Sequence, residues 1–203
     1  MSKLKSISLA ILVVVICFAG SGSSYEVGDA VSEFKLKNVD GKMVALSDYL
    51  SGKGVIVIFD CNTCPYSKVY NDRIIALNQK YSESGFPVVA INANDPNISP
   101  GDSFDEMVSY AKEKNYKFPY LIDQTQEVAR AFGASNTPHV YVLKKDGKSF
   151  KVAYKGAIDN NTRDASAADK KYVEDAVESL IAGKEIVTTK TKAIGCTIKW
   201  KNM

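Results

Sequence analysis

The sequence predicts an α/β protein with one mixed central sheet, helices on both faces and an antiparallel hairpin toward the C-terminus. Three observations carry this reading. Val55–Phe59 is an unbroken apolar run rich in β-branched residues, as suits a strand buried on both faces. A helical pattern follows it, and a second apolar run, Phe86–Asn92, comes next; parallel pairing of the two runs gives a strand–helix–strand crossover unit. His139–Leu143 and Ser149–Tyr154 then flank an Asp146-Gly147 turn and read as a hairpin.

The chain has 203 residues, enough for one domain with a proper core. Residues 1–24 read as a signal peptide: Lys3 and Lys5, an apolar run from Leu9 to Ala19, then small residues to Ser24. That run is shorter than the roughly 20 apolar residues a bilayer span takes. Cys17 lies inside it, but bulky Ile16 precedes it where a lipid-anchored cysteine wants a small residue, so membrane attachment is not expected. The mature chain, residues 25–203, is expected to be a single domain with a tail from about residue 184. It is expected to work outside the cytoplasm, in a periplasm or secreted, where disulfides persist. Two sequons, at Asn97 and Asn160, would matter only in a secreted eukaryotic protein. The net charge of +3 falls further once Lys3 and Lys5 are removed, which argues against nucleic acid as a partner. His139 is the single histidine, which excludes sites built from several imidazoles.

Along the mature chain, Glu33–Lys37 and Lys42–Ala45 flank a turn ending in Asp40-Gly41 and read as a short hairpin; Leu46–Leu50 reads as a helical turn. After Val55–Phe59, residues Tyr66, Tyr70, Ile74, Leu77 and Tyr81 recur at helical spacing and should line one face. Asn94–Asp102 is a loop dense in turn formers, and Ser103-Phe-Asp-Glu106 is a capping-box pattern that opens a helix to about Lys114. A short strand, Phe118–Ile122, leads to a helix over Gln124–Phe132 that stops at Gly133. After the hairpin, a last helix carries Val173, Ala176, Val177, Leu180 and Ile181 on one face and stops at Gly183. The tail has no strong pattern apart from Ile194–Trp200.

The chemistry sits at Cys61-Asn62-Thr63-Cys64, delivered by the first strand to the start of a helix. Unpaired N–H groups and the positive end of the helix dipole favour a thiolate there. In such motifs the first cysteine can drop from about 8.5 to between 3.5 and 7.5. Pro65 falls in the first turn, where its missing N–H removes nothing the helix uses. The same spacing is half of a structural zinc site, but no second C-x-x-C or C-x-H pair supports one, so no metal is expected. A purely structural disulfide closing so short a loop would restrain the unfolded chain weakly.

Cys61-Asn-Thr-Cys64-Pro65 after a buried strand, with Thr137-Pro138 before the hairpin, resembles the thioredoxin-like superfamily. Ala90–Asp95, Phe118–Asp123, Gln126–Gly133 and Gly195–Trp200 make the chain more closely similar to its peroxiredoxin-like branch, the alkyl hydroperoxide reductase and thiol-specific antioxidant type of domain. The match covers essentially Val27–Lys201, and its tail motif is the most specific part. The resemblance implies that Pro138 is cis and faces the cysteines, and that Thr137 and Pro138 line the substrate cleft. It departs in three places. Asn136 stands where relatives often carry another cysteine; Ser67 stands where membrane-anchored disulfide reductases often carry a glutamate; Asp60, rather than a bulky aromatic, abuts Cys61. No buried base is then identifiable beside the dithiol, and a carboxylate at Asp60 near the sulfur would oppose its ionisation.

The resulting expectation is a thiol–disulfide oxidoreductase. Cys61, the more exposed and acidic thiol, attacks a substrate disulfide, and Cys64 resolves the mixed disulfide. The substrate is a protein or small-molecule disulfide, a separate redox partner restores the thiols, and no organic cofactor is implied. The alternative is a thiol peroxidase. Peroxiredoxins place the reactive cysteine where Cys64 stands and a threonine near the position of Cys61, so Cys64 would be peroxidatic and Cys61 resolving. A non-enzymatic module with a structural disulfide is the third reading. His139 and Cys196 are auxiliary candidates, each weighed against a structural role, and Arg130 is expected to be solvated rather than near a peroxide.

Overall fold

A computed structural model of the chain describes residues 24–201. The expected signal peptide, Cys17 included, falls outside the described residues apart from Ser24. In chain order the elements are β1 (Ala30–Val31), β2 (Lys35–Asn38), β3 (Met43–Ala45), β4 (Gly54–Phe59), α1 (Pro65–Tyr81), β5 (Val88–Asn92) and α2 (Phe104–Glu113). There follow β6 (Tyr120–Ile122), α3 (Glu127–Phe132), β7 (Asn136–Thr137), β8 (His139–Asp146), β9 (Ser149–Gly156), α4 (Tyr172–Ile181) and β10 (Cys196–Thr197).

Eight strands form a mixed sheet in the order β1-β9-β8-β4-β5-β6-β2-β3. β5 runs parallel to β4, with Ile56 opposite Val88 and Phe59 opposite Ile91, as the crossover predicts. β8 and β9 are the expected hairpin, longer than its apolar runs by the residues around the Asp146-Gly147 turn. β4 lies between β5 and β8, so all of Val55–Phe59 is removed from water. At about 1.5–3 kcal/mol for each fully buried aliphatic or aromatic side chain, this strand is a main anchor of the core.

Alternation along β4 divides the core in two. Ile56 and Ile58 face α1, α2 and α4 through Ile74, Leu77, Met107 and Val177. Val55, Val57 and Phe59 face Leu46, Ala129 of α3 and Phe132. Helices therefore cover both faces.

Two apolar stripes are shorter than their spacing implies. Tyr70, Ile74, Leu77 and Tyr81 are buried, but Tyr66, in the first turn of α1, is 38% exposed. Ile181, in the last turn of α4, is 37% exposed. α3 starts three residues later than expected. Gln126 adopts a left-handed backbone (φ +64°), and the Asp123 carboxylate instead accepts Ala129 N–H at 2.8 Å. The tail is more ordered than its sequence suggests: β10 pairs antiparallel with β7, with Cys196 opposite Thr137 and Thr197 opposite Asn136. No described helix is long and apolar enough to cross a membrane.

Candidate active site at the carboxyl end of the sheet

β4 ends at Phe59 and hands the chain to Asp60 and Cys61 at the carboxyl end of the parallel pair, where open α/β sheets place ligands. Cys64 is the N-cap of α1, and Pro65 follows at its first position. The loop between the cysteines is held by a carboxylate that sequence reasoning missed. Asp102, buried in the loop before α2, accepts hydrogen bonds from Asn62 N–H (2.7 Å), Thr63 Oγ1 (2.7 Å), Ser99 Oγ (2.6 Å), Asn94 Nδ2 (2.9 Å) and Asn92 Nδ2 (3.1 Å). Burial alone would raise its pKa, but the donors, Ser99 and Asn94 foremost, hold it below the usual carboxylate value. Asn62 is also fixed by its own side chain: Oδ1 accepts from Tyr120 OH at 2.8 Å and Nδ2 donates to Gly101 O at 2.8 Å.

Cys61, Cys64 and Cys196 are all reduced. The first two are buried, at 1% and 2% exposure, so Cys61 is not the accessible thiol of the pair. Nor is it the acidic one. The hydrogen bond it shares with Cys64 places the proton on Cys61; burial and the charges of Asp60 and Asp102 then push it further above the ordinary thiol range. Cys64 is instead held below the ordinary thiol range, chiefly by the neighbouring Cys61 thiol, with Cys196 and the Ser67 and Cys196 N–H groups adding to this against burial. Cys196 N–H lies 3.4 Å from Cys64 Sγ. One group works the other way, since the Thr137 carbonyl, 3.2 Å from Cys64 Sγ, accepts a hydrogen bond only from the thiol form.

Asp60, which the sequence places next to Cys61, is buried beside the dithiol. It is 2% exposed, and burial pushes its carboxyl up to about 7. The Ser67 hydroxyl and Cys61 N–H pull it back only in part. Among the described residues, its Oδ1 has no hydrogen-bond partner.

Thr137 touches both sulfurs: its Oγ1 is 3.1 Å from Cys61 Sγ, and its carbonyl meets Cys64. The Thr137–Pro138 bond is cis. The backbone edge of Thr137 is occupied by β10. His139 is not part of the cluster. It packs on Tyr141 (ring centroids 4.7 Å), its Nδ1 is buried and has no hydrogen-bond partner among the described residues, and burial lowers its pKa to about 4. Arg130 sits over the Trp200 ring at 4.5 Å rather than at a sulfur. Among the described residues, no group of three or more His, Cys, Asp or Glu side chains is disposed to hold a metal ion.

The AhpC/TSA family model matches residues 27–151. A thiol-disulfide oxidoreductase ResA from Bacillus thuringiensis is 26% identical over 161 residues, covering 73% of this chain and 87% of that protein. An uncharacterized conserved protein from Geobacillus kaustophilus has a crystal structure 35% identical, with a TM-score of 0.81 over 88% of this chain and 94% of that one. A putative thiol:disulfide interchange protein DsbE from Chlorobium tepidum, at 22% identity and TM-score 0.62 over 78% of this chain and 99% of that one, shares the thioredoxin-like fold.

Proposed function

The chain belongs to the AhpC/TSA family and is an oxidoreductase, and from that premise we propose that it exchanges disulfides through Cys61 and Cys64, outside the cytoplasm. The observation that supports the reading is a pair of buried cysteines at the start of α1 that share one neighbour, Thr137, whose hydroxyl lies 3.1 Å from Cys61 Sγ and whose carbonyl lies 3.2 Å from Cys64 Sγ. In the reduced protein the Cys64 thiolate attacks one sulfur of a substrate disulfide and expels the other as a thiolate. Cys61 then loses its proton to Asp60 and attacks Cys64 Sγ, which releases the second substrate thiol and closes the Cys61–Cys64 disulfide. Two electrons pass from the pair to the substrate, and a dithiol partner returns them. The order of attack is thus the reverse of the one the sequence suggested. Thr137 would hold the reacting sulfurs in place through its hydroxyl and carbonyl. Work outside the cytoplasm rests on the signal-peptide pattern of residues 1–24.

The low-pKa position of Cys64 also suits the peroxidase reading, in which Cys64 becomes a sulfenic acid and Cys61 resolves it. Against it, Cys61 replaces the threonine of such sites, and among the described residues no arginine contact to the sulfur is found: Arg130 lies over Trp200 and Arg73 pairs with Asp159. The deciding measurement is the second-order rate of oxidation of the reduced protein by hydrogen peroxide, with Cys64→Ser as control, beside turnover of a disulfide reporter. Disulfide exchange predicts a peroxide rate like that of an ordinary thiol and turnover that depends on Cys64. A far higher rate, abolished by Cys64→Ser, would overturn the assignment in favour of a peroxidase.

A further inference from the structure

A dithiol that trades disulfides must be reached, yet Cys61 and Cys64 are almost completely covered. Part of the cover is the tail. β10 occupies the backbone edge of Thr137, the residue in contact with both sulfurs. The tail is fastened along its length. Asn136 Nδ2 donates to Gly195 O (3.0 Å), Ile198 N–H to Ser135 O (3.0 Å), and Lys199 N–H to Asn94 Oδ1 (2.8 Å). Gln126 Nε2 donates to Lys199 O (2.9 Å), and Gln126 Oε1 accepts Lys201 N–H (2.9 Å). Ile198 is buried. Gly195 shows how tight the approach is, because a Cβ there would lie 2.0 Å from Thr137 O. Such a contact sets Cys196 directly on Cys64: its N–H is 3.4 Å from Cys64 Sγ. Of the three described cysteines, Cys196 alone is partly exposed.

We propose that Cys196 is a third redox-active cysteine, a port that carries the disulfide between the buried Cys61–Cys64 pair and the surface. The proposal rests on the dithiol exchange above and adds a route to it. Starting from the Cys61–Cys64 disulfide, the Cys196 thiolate attacks Cys64 Sγ. The Cys64–Cys196 bond forms, the Cys61–Cys64 bond breaks, and Cys61 leaves as a thiolate that takes up the proton Cys196 gave up. A thiolate of a reducing partner dithiol then attacks the accessible Cys196 Sγ and expels the Cys64 thiolate. The partner's second thiol closes the partner's own disulfide and releases Cys196 as a thiol. The partner is oxidised by two electrons, and the protein ends with three thiols. The same steps in reverse admit a substrate disulfide.

The test maps disulfides in the purified full chain after limiting oxidation with hydroxyethyl disulfide, acid quenching and alkylation. The expected result is both Cys61–Cys64 and Cys64–Cys196 linkages in the wild type, and a single Cys64–Cys196 linkage in Cys61→Ser. Cys196→Ser should still form Cys61–Cys64, but reduced thioredoxin, used as the protein dithiol probe, should reduce it at least about tenfold more slowly than wild type. A wild-type map with Cys196 always free would overturn the port without relying on any variant's folding. Reduction of Cys196→Ser at the wild-type rate would overturn it as well, and both results leave the dithiol reading standing. Failure of Cys196→Ser, folded by circular dichroism, to form Cys61–Cys64 at all, with no reporter turnover by the wild type, would instead remove the dithiol reading and the port with it.

Discussion

Replacing Asp60 by asparagine should change how stability depends on pH, and by an amount the site fixes. Asp60 is 2% exposed, and its carboxyl is raised from 3.8 to about 7, mainly by burial. A group raised in this way binds its proton more tightly in the folded chain than in the unfolded one. Its contribution to stability is therefore complete below pH 3.8 and is lost as pH rises through about 7. The gap is about three pH units at 1.36 kcal/mol each, so ionising Asp60 costs the fold about 4 kcal/mol. Other carboxylates slope the opposite way: the Asp102 carboxyl is held low, and that of Glu26 falls to about 2 beside Lys155 and Lys190. The useful quantity is therefore the difference between two proteins. Urea denaturation of wild type and Asp60→Asn, with the thiols kept reduced, should give stabilities that converge near pH 4. They should separate by about 4 kcal/mol in favour of the variant by pH 8. Curves that stay parallel to within about 1 kcal/mol would show that Asp60 titrates as an ordinary surface carboxylate, and its assignment as the proton acceptor for Cys61 would go with it.

Two further substitutions probe the frame around the thiols. Asp102→Ala leaves the Asn62, Thr63, Ser99, Asn94 and Asn92 donors without their common acceptor. A loss of about 3 kcal/mol or more is expected, seen as a drop in Tm of about 6–12 °C; a loss below about 1 kcal/mol would mean that the network does not hold the loop. Gly195→Ala drives a methyl group into Thr137 O and should loosen β10. An overpacking cost of about 1.4 kcal/mol taken up by tail opening would raise the alkylation rate of Cys64 by a bulky maleimide about tenfold, and unchanged protection would show that the tail is not its cover.

The frame of the fold was legible because it is written locally. β4 announces itself by an apolar run, α1 by helical spacing and the β8–β9 hairpin by an Asp-Gly turn; each needs only its own residues. What the sequence hid depends on contacts across long separations. Asp102 lies among ordinary turn formers, and its role appears only when loop 92–102 folds against Asn62 and Thr63. The clue was the polar cluster of Asn92, Asn94, Ser99 and Asp102, which a surface loop does not need. β10 is two residues long and pairs with a two-residue β7, too short for either to show alternation. The misreading of Cys61 has the same origin. Its sulfur meets Thr137, 76 residues away, and its raised pKa comes from the hydrogen bond with Cys64, then burial, then the charges of Asp60 and Asp102.

Together, the charges and the burial assign each sulfur one part. Cys64 sits at the start of α1, where the Cys196 N–H points at its sulfur, and the neighbouring Cys61 thiol chiefly holds its pKa low, so Cys64 is the best leaving group of the three. It is also common to both proposed disulfides, Cys61–Cys64 and Cys64–Cys196. An incoming thiolate that attacks the far sulfur of either bond therefore expels the same stabilised Cys64 thiolate, and leaving-group chemistry does not choose between them. Access does: Cys61 is 1% exposed and Cys196 is partly open. Burial of the pair then becomes a filter. A nucleophile from outside meets the reactive sulfur through Cys196, on a strand whose tight seat at Thr137 is set by the missing side chain of Gly195.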